Sequence, residues 1–281
     1  MREDHRRLDI SRAAFADWPV IQGWAADEGW NPGLGDGACF FAQDPDGFFL
    51  GRIDGEPVSA VSVVTYGPAY AFLGCYLVRP DLRGRGHGLA TWRAGLRHAG
   101  ERTVGLDGVV AQQHNYRASG FAPAHRTIRF TGLAAHRAAP AAGIVPAAAE
   151  PAAVLAYDSA CHPADRPRFL AAWLAAEGHT ALARVVDGRV TGYGVVRPAH
   201  EGRRIGPLFA DTADDARALF DALASGGGPV GIDVPATNTE AVALVEARGL
   251  TAGFETARMY TGPVRPYAQD RVYGVTTLEL G

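Results

Sequence analysis

The sequence predicts an α/β protein built as two tandem units, each a mixed, splayed sheet flanked by helices. Two observations carry this. Segments alternating with the period of a strand are interleaved with segments of helical period along the whole chain, which is the pattern of layered α/β structure. The chain also repeats itself. Arg52-Ile53-Asp54-Gly55-Glu56-Pro57-Val58 has a partner in Val185-Val186-Asp187-Gly188-Arg189-Val190. Tyr116-Arg117-Ala118-Ser119-Gly120-Phe121 matches Val245-Glu246-Ala247-Arg248-Gly249-Leu250, and Phe130-Thr131-Gly132 matches Tyr260-Thr261-Gly262. The offsets are 133, 129 and 130 residues, steady enough for a duplication. It divides the chain into a unit at 1–132, an Ala- and Pro-rich linker at 133–151, and a unit at 152–281.

In the first unit a short strand is expected near Arg7–Ile10, followed by helical stretches from Ser11 to Glu28. Asp54-Gly55 then turns a hairpin spanning Phe48–Tyr66, because both residues tolerate the positive φ of a tight hairpin turn. A third strand covers Tyr70–Val78 and ends at Arg79-Pro80, with Gly74 a candidate bend or bulge. A helix follows to about Ala99, with Leu89, Trp92 and Leu96 on one face. Next come a strand at Val104–Val110, a short helix ending at Ser119, and a strand at Ala124–Thr131. The second unit repeats the order. It has a helix at Ala164–Glu177 and strands at Ala181–Val186, Val190–Arg197 and Ile205–Ala210. A helix at Thr212–Ala224, a strand at Val230–Val234, a helix at Asn238–Arg248 and strands at Gly253–Tyr260 and Tyr273–Leu280 complete it.

Composition narrows the function classes. A chain of 281 residues with 47% hydrophobic content is long enough for two cores. The net charge of −3 and the lack of a basic helix argue against nucleic acid as a partner. No apolar run approaches the length of a membrane span, and Met1–Arg7 lacks the apolar stretch of a secretory signal, so a cytoplasmic protein is expected. Cys39, Cys75 and Cys161 are scattered, with no Cys/His cluster, so no metal is expected. The basic side chains are all arginine, which with heavy Ala and Gly use suggests a GC-rich bacterial gene.

The chemistry points to Arg83-Gly84-Arg85-Gly86-His87-Gly88, set between the Tyr70–Val78 strand and a helix beginning near Leu89. Glycines let the backbone turn tightly and approach a ligand. The first helical N–H groups have no intrahelical partner and the helix dipole favours an anion there. The turn is therefore suited to a phosphate or pyrophosphate. It is neither a Walker loop nor a dinucleotide fingerprint, since neither spacing is present.

The order Arg83-x-x-Gly86-x-Gly88 resembles the acyl-CoA pyrophosphate loop of the GNAT superfamily of N-acyltransferases. Tyr116-x-x-x-Gly120-Phe121 resembles the end of the fourth helix in the same family. The resemblance implies two tandem GNAT-like units and an acyl-CoA co-substrate, most simply acetyl-CoA, held by Arg83 through Leu89. It implies main-chain alignment of the thioester at Leu77 and Val78, with N–H groups stabilising charge on the carbonyl oxygen. It also implies Tyr116 as general acid toward the leaving thiolate.

The acceptor expected is the amine of a small molecule, attacked directly. Trp30, Asn31 and Asp36, in the loop after the first helices, are candidate acceptor contacts, and Glu28 and Asp107 are candidate bases. His114 is a further candidate. Cys75 reads as a small buried thiol rather than a nucleophile. Two alternatives stay open at this stage. The acyl group could arrive on an acyl carrier protein, recognised through Arg79, Arg83, Arg85 and Arg93, or the chain could be a noncatalytic acyl-CoA sensor.

The second unit departs from the pattern. Ala213-Asp214-Asp215-Ala216 replaces the glycine loop, and two carboxylates would repel a phosphate by about 1–4 kcal/mol at 4 Å. Val245 stands where the first unit has Tyr116. The second unit reads as a degenerate copy that serves the structure or walls the acceptor pocket.

Overall fold

The computed structural model describes residues 7–135 and 141–281. The first half runs β1 (Asp9–Arg12), α1 (Trp18–Asp27), α2 (Asp36–Gln43), β2 (Phe48–Ile53), β3 (Glu56–Tyr66), β4 (Tyr70–Val78), α3 (His87–Ala99), β5 (Thr103–Val109), α4 (Gln113–Ala118) and β6 (Ala122–Leu133). The second half runs β7 (Ile144–Pro146), α5 (Pro151–Cys161), α6 (Pro167–Ala175), β8 (Thr180–Val186), β9 (Arg189–Pro198), β10 (Arg203–Ala210), α7 (Ala213–Ala224), β11 (Pro229–Pro235), α8 (Thr239–Ala247), β12 (Thr251–Tyr260) and β13 (Val272–Gly274).

Both Asp-Gly hairpins form as expected. Asp54 and Gly55 sit at φ 53° and 85°, Asp187 and Gly188 at 50° and 74°, the twist that matches right-handed strands. Four expectations are corrected. The loop at 29–35 stands where expected, but Asp36 opens a second helix, α2, that the sequence does not announce. The linker at 133–151, part of which lies outside the described residues, contributes β7, which pairs with β8. The helix α5 precedes the one expected at Ala164–Glu177. The strand expected at Tyr273–Leu280 is confined to β13, and residues 275–281 run on without regular structure.

The described strands join in one sheet, ordered β1-β2-β3-β4-β5-β12-β6-β11-β10-β9-β8-β7, with β13 paired to β10. Its centre is an exchange. The β5 strand pairs with β12 from the second half, and β11 pairs with β6 from the first. The last long strand of each repeat thus completes the sheet of the other. Each repeat carries the same strand pattern, so either β6 or β12 fits beside β5 on hydrophobic grounds alone.

Buried ion pairs fix the exchange. Arg258 on β12 donates both arms to Asp107 on β5, at 2.9 and 2.8 Å. Arg129 on β6 does the same to Asp233 on β11, at 2.8 and 3.3 Å. These are the same pair in the two repeats. A third tie, Arg197 on β9 to Asp36 on α2 at 2.7 and 3.1 Å, lies beneath the stacked rings of Phe40 and Trp173 that join α2 to α6. Paired and fully hydrogen-bonded charges tolerate burial where unpaired ones do not.

Candidate active site

The strand β4 is paired to β5 only from Tyr70 to Leu73. Beyond Leu73 the two strands part, leaving a wedge open on the β5 side of β4. On its other side β4 stays paired to β3, but with an extra residue between Gly74 and Leu77. That bulge places Cys75 at φ 46°, a left-handed conformation uncommon for a residue with a side chain. The bulge falls one position past the expected Gly74. Gly74 is required for a different reason: a Cβ there would lie 2.1 Å from the Glu279 carbonyl oxygen.

A wide groove leads from the wedge to the N-terminus of α3. Its lining includes Leu77, Val78, Arg83, Gly84 and the opening residues His87, Gly88 and Leu89 of α3. Gly84 and Gly86 hold φ 76° and 85°, with open space where a Cβ would project. A Cβ on Gly88 would lie 2.6 Å from the Tyr76 hydroxyl, so only glycine lets α3 sit this close to β4. These features fit a pyrophosphate approached by backbone N–H groups. Arg83 donates to the Val78 carbonyl at 3.0 Å and pairs with Glu28. Arg85 donates to the Asp81 carbonyl at 3.2 Å.

At the inner end of the groove lies a second, much narrower cavity. Trp30, Tyr76, Val109 and Tyr116 line both spaces and so form their junction. Tyr116 is held by ring stacking on Trp92 at 5.5 Å and by the space left at Gly108, where a Cβ would lie 2.7 Å from the ring. Its hydroxyl has no hydrogen-bond partner among the described residues, and burial pushes the phenol above its usual value.

The other expected residues divide. Trp30 lies at the junction, and its carbonyl accepts from Arg129 and Arg204. Glu28 stands on the groove rim, engaged by Arg83, and does not line the inner cavity. Asn31 exchanges hydrogen bonds with the Glu201 backbone at 3.0 and 2.8 Å and ties the halves together. Asp36 is 1% exposed, with both oxygens taken by Arg197, so it is a structural anion and not an acceptor contact. Asp107 lines the inner cavity but is claimed by Arg258. Burial raises its carboxyl while Arg258 opposes the shift. The same pair recurs at Asp233 and Arg129, so the strand exchange alone accounts for it. His114 is exposed on α4. Burial pushes the Cys75 thiol up, which keeps it neutral.

Sequence reasoning passed over Leu73, Tyr76, Leu106 and Val109 in the first half's share of the inner cavity and, from the second half, Phe254 and Thr256 on β12 and Leu278 and Glu279 from the segment after β13. The only signal in the sequence is one acid between two leucines, which an edge strand explains as well.

The second repeat has the same wedge, but it is filled. Its β10 and β11 pair from Arg203 to Ile205 and then part. Into that gap goes β13, with Leu208 opposite Gly274 and Phe209 opposite Val272, while Val275 N–H donates to the Asp233 carbonyl at 2.9 Å. The Asn238 side chain caps α8 and donates to the Asp270 and Val272 carbonyls at 3.0 and 3.1 Å, holding the plug. Only Asp211 and Thr212 separate β10 from α7, against eight residues between β4 and α3. The α7 N-terminus is satisfied internally, with Asp215 N–H donating to Thr212 Oγ1 at 3.2 Å.

Comparison with known proteins agrees with this geometry. The acetyltransferase (GNAT) family profile matches residues 8–124, and an acetyltransferase (GNAT) domain profile matches 154–274. A holothin acyltransferase of Pseudoalteromonas sp. (strain SANK 73390) is 32% identical over all of this chain and 97% of its own. The crystal structure of a putative acetyltransferase from Pyrococcus horikoshii shares the fold, with TM-score 0.85, 23% identity and full coverage of both chains. A tandem GNAT protein from the clavulanic acid biosynthesis pathway superposes with TM-score 0.63 and 18% identity, covering 92% of this chain and 99% of its own. The chain belongs to the GNAT family. It is an acyltransferase with two tandem GNAT domains. Among the described residues no helix is long and apolar enough to cross a membrane.

Proposed function

We propose that this acyltransferase moves the acyl group of an acyl-CoA, acetyl-CoA in the first instance, to the amine of a small molecule by direct attack in a ternary complex. The observation that carries this is the meeting of the donor groove and the inner cavity at Tyr116. The pyrophosphate rests on the amides of Gly84 through Leu89, and the pantetheine runs along the unpaired edge of β4. Main-chain N–H groups near Leu77 and Val78 stabilise the charge that develops on the carbonyl oxygen. The acceptor nitrogen comes from the inner cavity, the C–N bond forms, the C–S bond breaks, and Tyr116 gives the thiolate its proton. The mostly apolar wall of Trp30, Leu106 and Phe254 suits a compact, largely apolar amine. Holothin is the first acceptor to try, given the relative that acylates it.

Of the arginines offered to a carrier protein, Arg79 pairs with Asp81, Arg83 with Glu28 and Arg85 donates to a carbonyl, while Arg93 is exposed. Free acyl-CoA is the donor to test first, because the same Arg83 and glycine turn serve its pyrophosphate.

Calorimetry of acetyl-CoA against the whole chain is expected to give one site per chain. Arg83→Glu and Gly88→Val should each weaken it at least ~10-fold, the first by charge and the second by closing the loop on Tyr76. Two sites would mean that the β13 plug leaves the second wedge. No binding would sink the acyl-CoA reading and return the search to carrier-bound donors.

A further inference from the structure

The inner cavity holds two carboxylates, and they are not equivalent. Asp107 accepts both arms of Arg258. Glu279 is 5% exposed, lines the cavity, and its carboxylate has no hydrogen bond or ion pair among the described residues. The charged groups around it are spoken for. Arg204 on β10 and Arg129 on β6 are bound by Asp233 on β11, and Asp36 on α2 is bound by Arg197. On the facing strand β4 the Cys75 thiol is kept neutral by burial, and Tyr76 on β4 and Tyr116 on α4 contribute phenols. The Glu279 backbone is fixed: its N–H and that of Leu280 donate to Thr277 Oγ1 at 3.2 and 2.9 Å. The Leu280 carbonyl accepts from the Tyr66 hydroxyl at 3.0 Å, and the Glu279 carbonyl is seated against Gly74.

We infer that Glu279, delivered from the second half by the segment that leaves the β13 plug, is the general base for the acceptor amine in the first half's active site. The assignment rests on the acyl-transfer reading above. Glu279 takes one proton from the acceptor ammonium and passes it to solvent. The neutral nitrogen attacks the thioester carbonyl, the C–N bond forms and the C–S bond breaks. The second nitrogen proton ends on the CoA thiol by way of Tyr116, so the products are amide, thiol and one released proton. Burial raises the Glu279 carboxyl, with Arg204 opposing, which moves it toward the range where a base works best at neutral pH. The degenerate unit thus takes part in the chemistry, because its plug anchors the segment that carries the base.

The test is Glu279→Gln in the full chain, with acetyl-CoA as donor and holothin and simple alkyl and aryl primary amines as acceptors, reading thiol release. At pH 7 the variant is expected to lose about 10²–10³-fold in kcat/KM for the alkyl amines, which are ammonium ions there, and far less for the aryl amines, which are already neutral, while acetyl-CoA affinity by calorimetry stays within about twofold. The deficit should shrink as pH approaches the acceptor's own pKa, since neutral amine then needs no base, and Glu279→Asp should restore part of the rate. An unchanged kcat/KM, or a deficit equal at every pH, overturns the assignment. Loss of acetyl-CoA binding would make Glu279 a wall of the donor groove and overturn it too. A wild-type protein that binds acetyl-CoA yet cleaves it with no amine and with no water overturns acyl transfer itself, and the base with it.

Discussion

Tyr116→Phe is expected to lower kcat by about 10²-fold and to leave acetyl-CoA affinity unchanged. The ring's place is set by Trp92 and Gly108, which phenylalanine satisfies equally, so the fold and the groove wall should survive the change. What is lost is one hydroxyl at the junction of donor groove and inner cavity. The size follows from proton affinities. A free phenol titrates near 10 and a thiol near 8.5, so handing a proton from Tyr116 to the thiolate is uphill by at least ~2 kcal/mol. Burial of Tyr116 makes the gap larger. The transfer therefore succeeds only when the amide nitrogen returns a proton as the thiolate leaves, which places the effect at the low end of acid–base catalysis. Pre-steady-state thiol release alongside calorimetry separates the outcomes. Unchanged kcat would reduce Tyr116 to packing and give the thiolate's proton another source. Weaker binding with unchanged kcat would make the hydroxyl a donor contact.

How much of this was legible depends on sequence distance. The hairpins, the glycine loop and α3 follow from neighbours within a few residues, and they stand where periodicity and turn chemistry put them. The exchange of β6 and β12 does not follow, because the two repeats carry the same alternation and the choice of partner is made across the whole chain. Asn31 and Asp36 read as turn residues open to a substrate. Their partners, Glu201 and Arg197, lie 170 and 161 residues away, and no local pattern announces such a tie. Glu279 was missed for the opposite reason: its context, Leu-Glu-Leu, looks ordinary. Only the passage of residues 275–281 from one wedge to the other turns that acid inward. That the second repeat lacks the glycine turn was legible, and Ala213–Ala216 opens α7 directly, but the strand that fills its cleft was not.

Asp107→Asn and Asp233→Asn are each expected to cost about 3–5 kcal/mol of stability, because each leaves a buried arginine without its counter-charge. The comparison decides what Asp107 is for. Arg258, 3% exposed and also lying over Phe72 at 5.1 Å, cannot turn to water when Asp107 is neutralised. Arg129, 5% exposed, is in the same position beside Asp233, but Arg204 also bonds to that carboxylate, so Asp233→Asn strands two cations rather than one. Chemical denaturation should therefore show Asp233→Asn at the upper end of the range and Asp107→Asn below it. Activity per folded molecule, measured well below either unfolding midpoint, should fall only modestly in Asp107→Asn, through loosening of β12 at Phe254 and Thr256. If Asp107 were the base, its variant would lose activity ~10²-fold or more with a pH-dependent deficit, as expected here for Glu279. Two carboxylates share one cavity, one neutralised by the strand exchange and one left without a partner. The exchange requires the first in both repeats; only the active cleft has a use for the second.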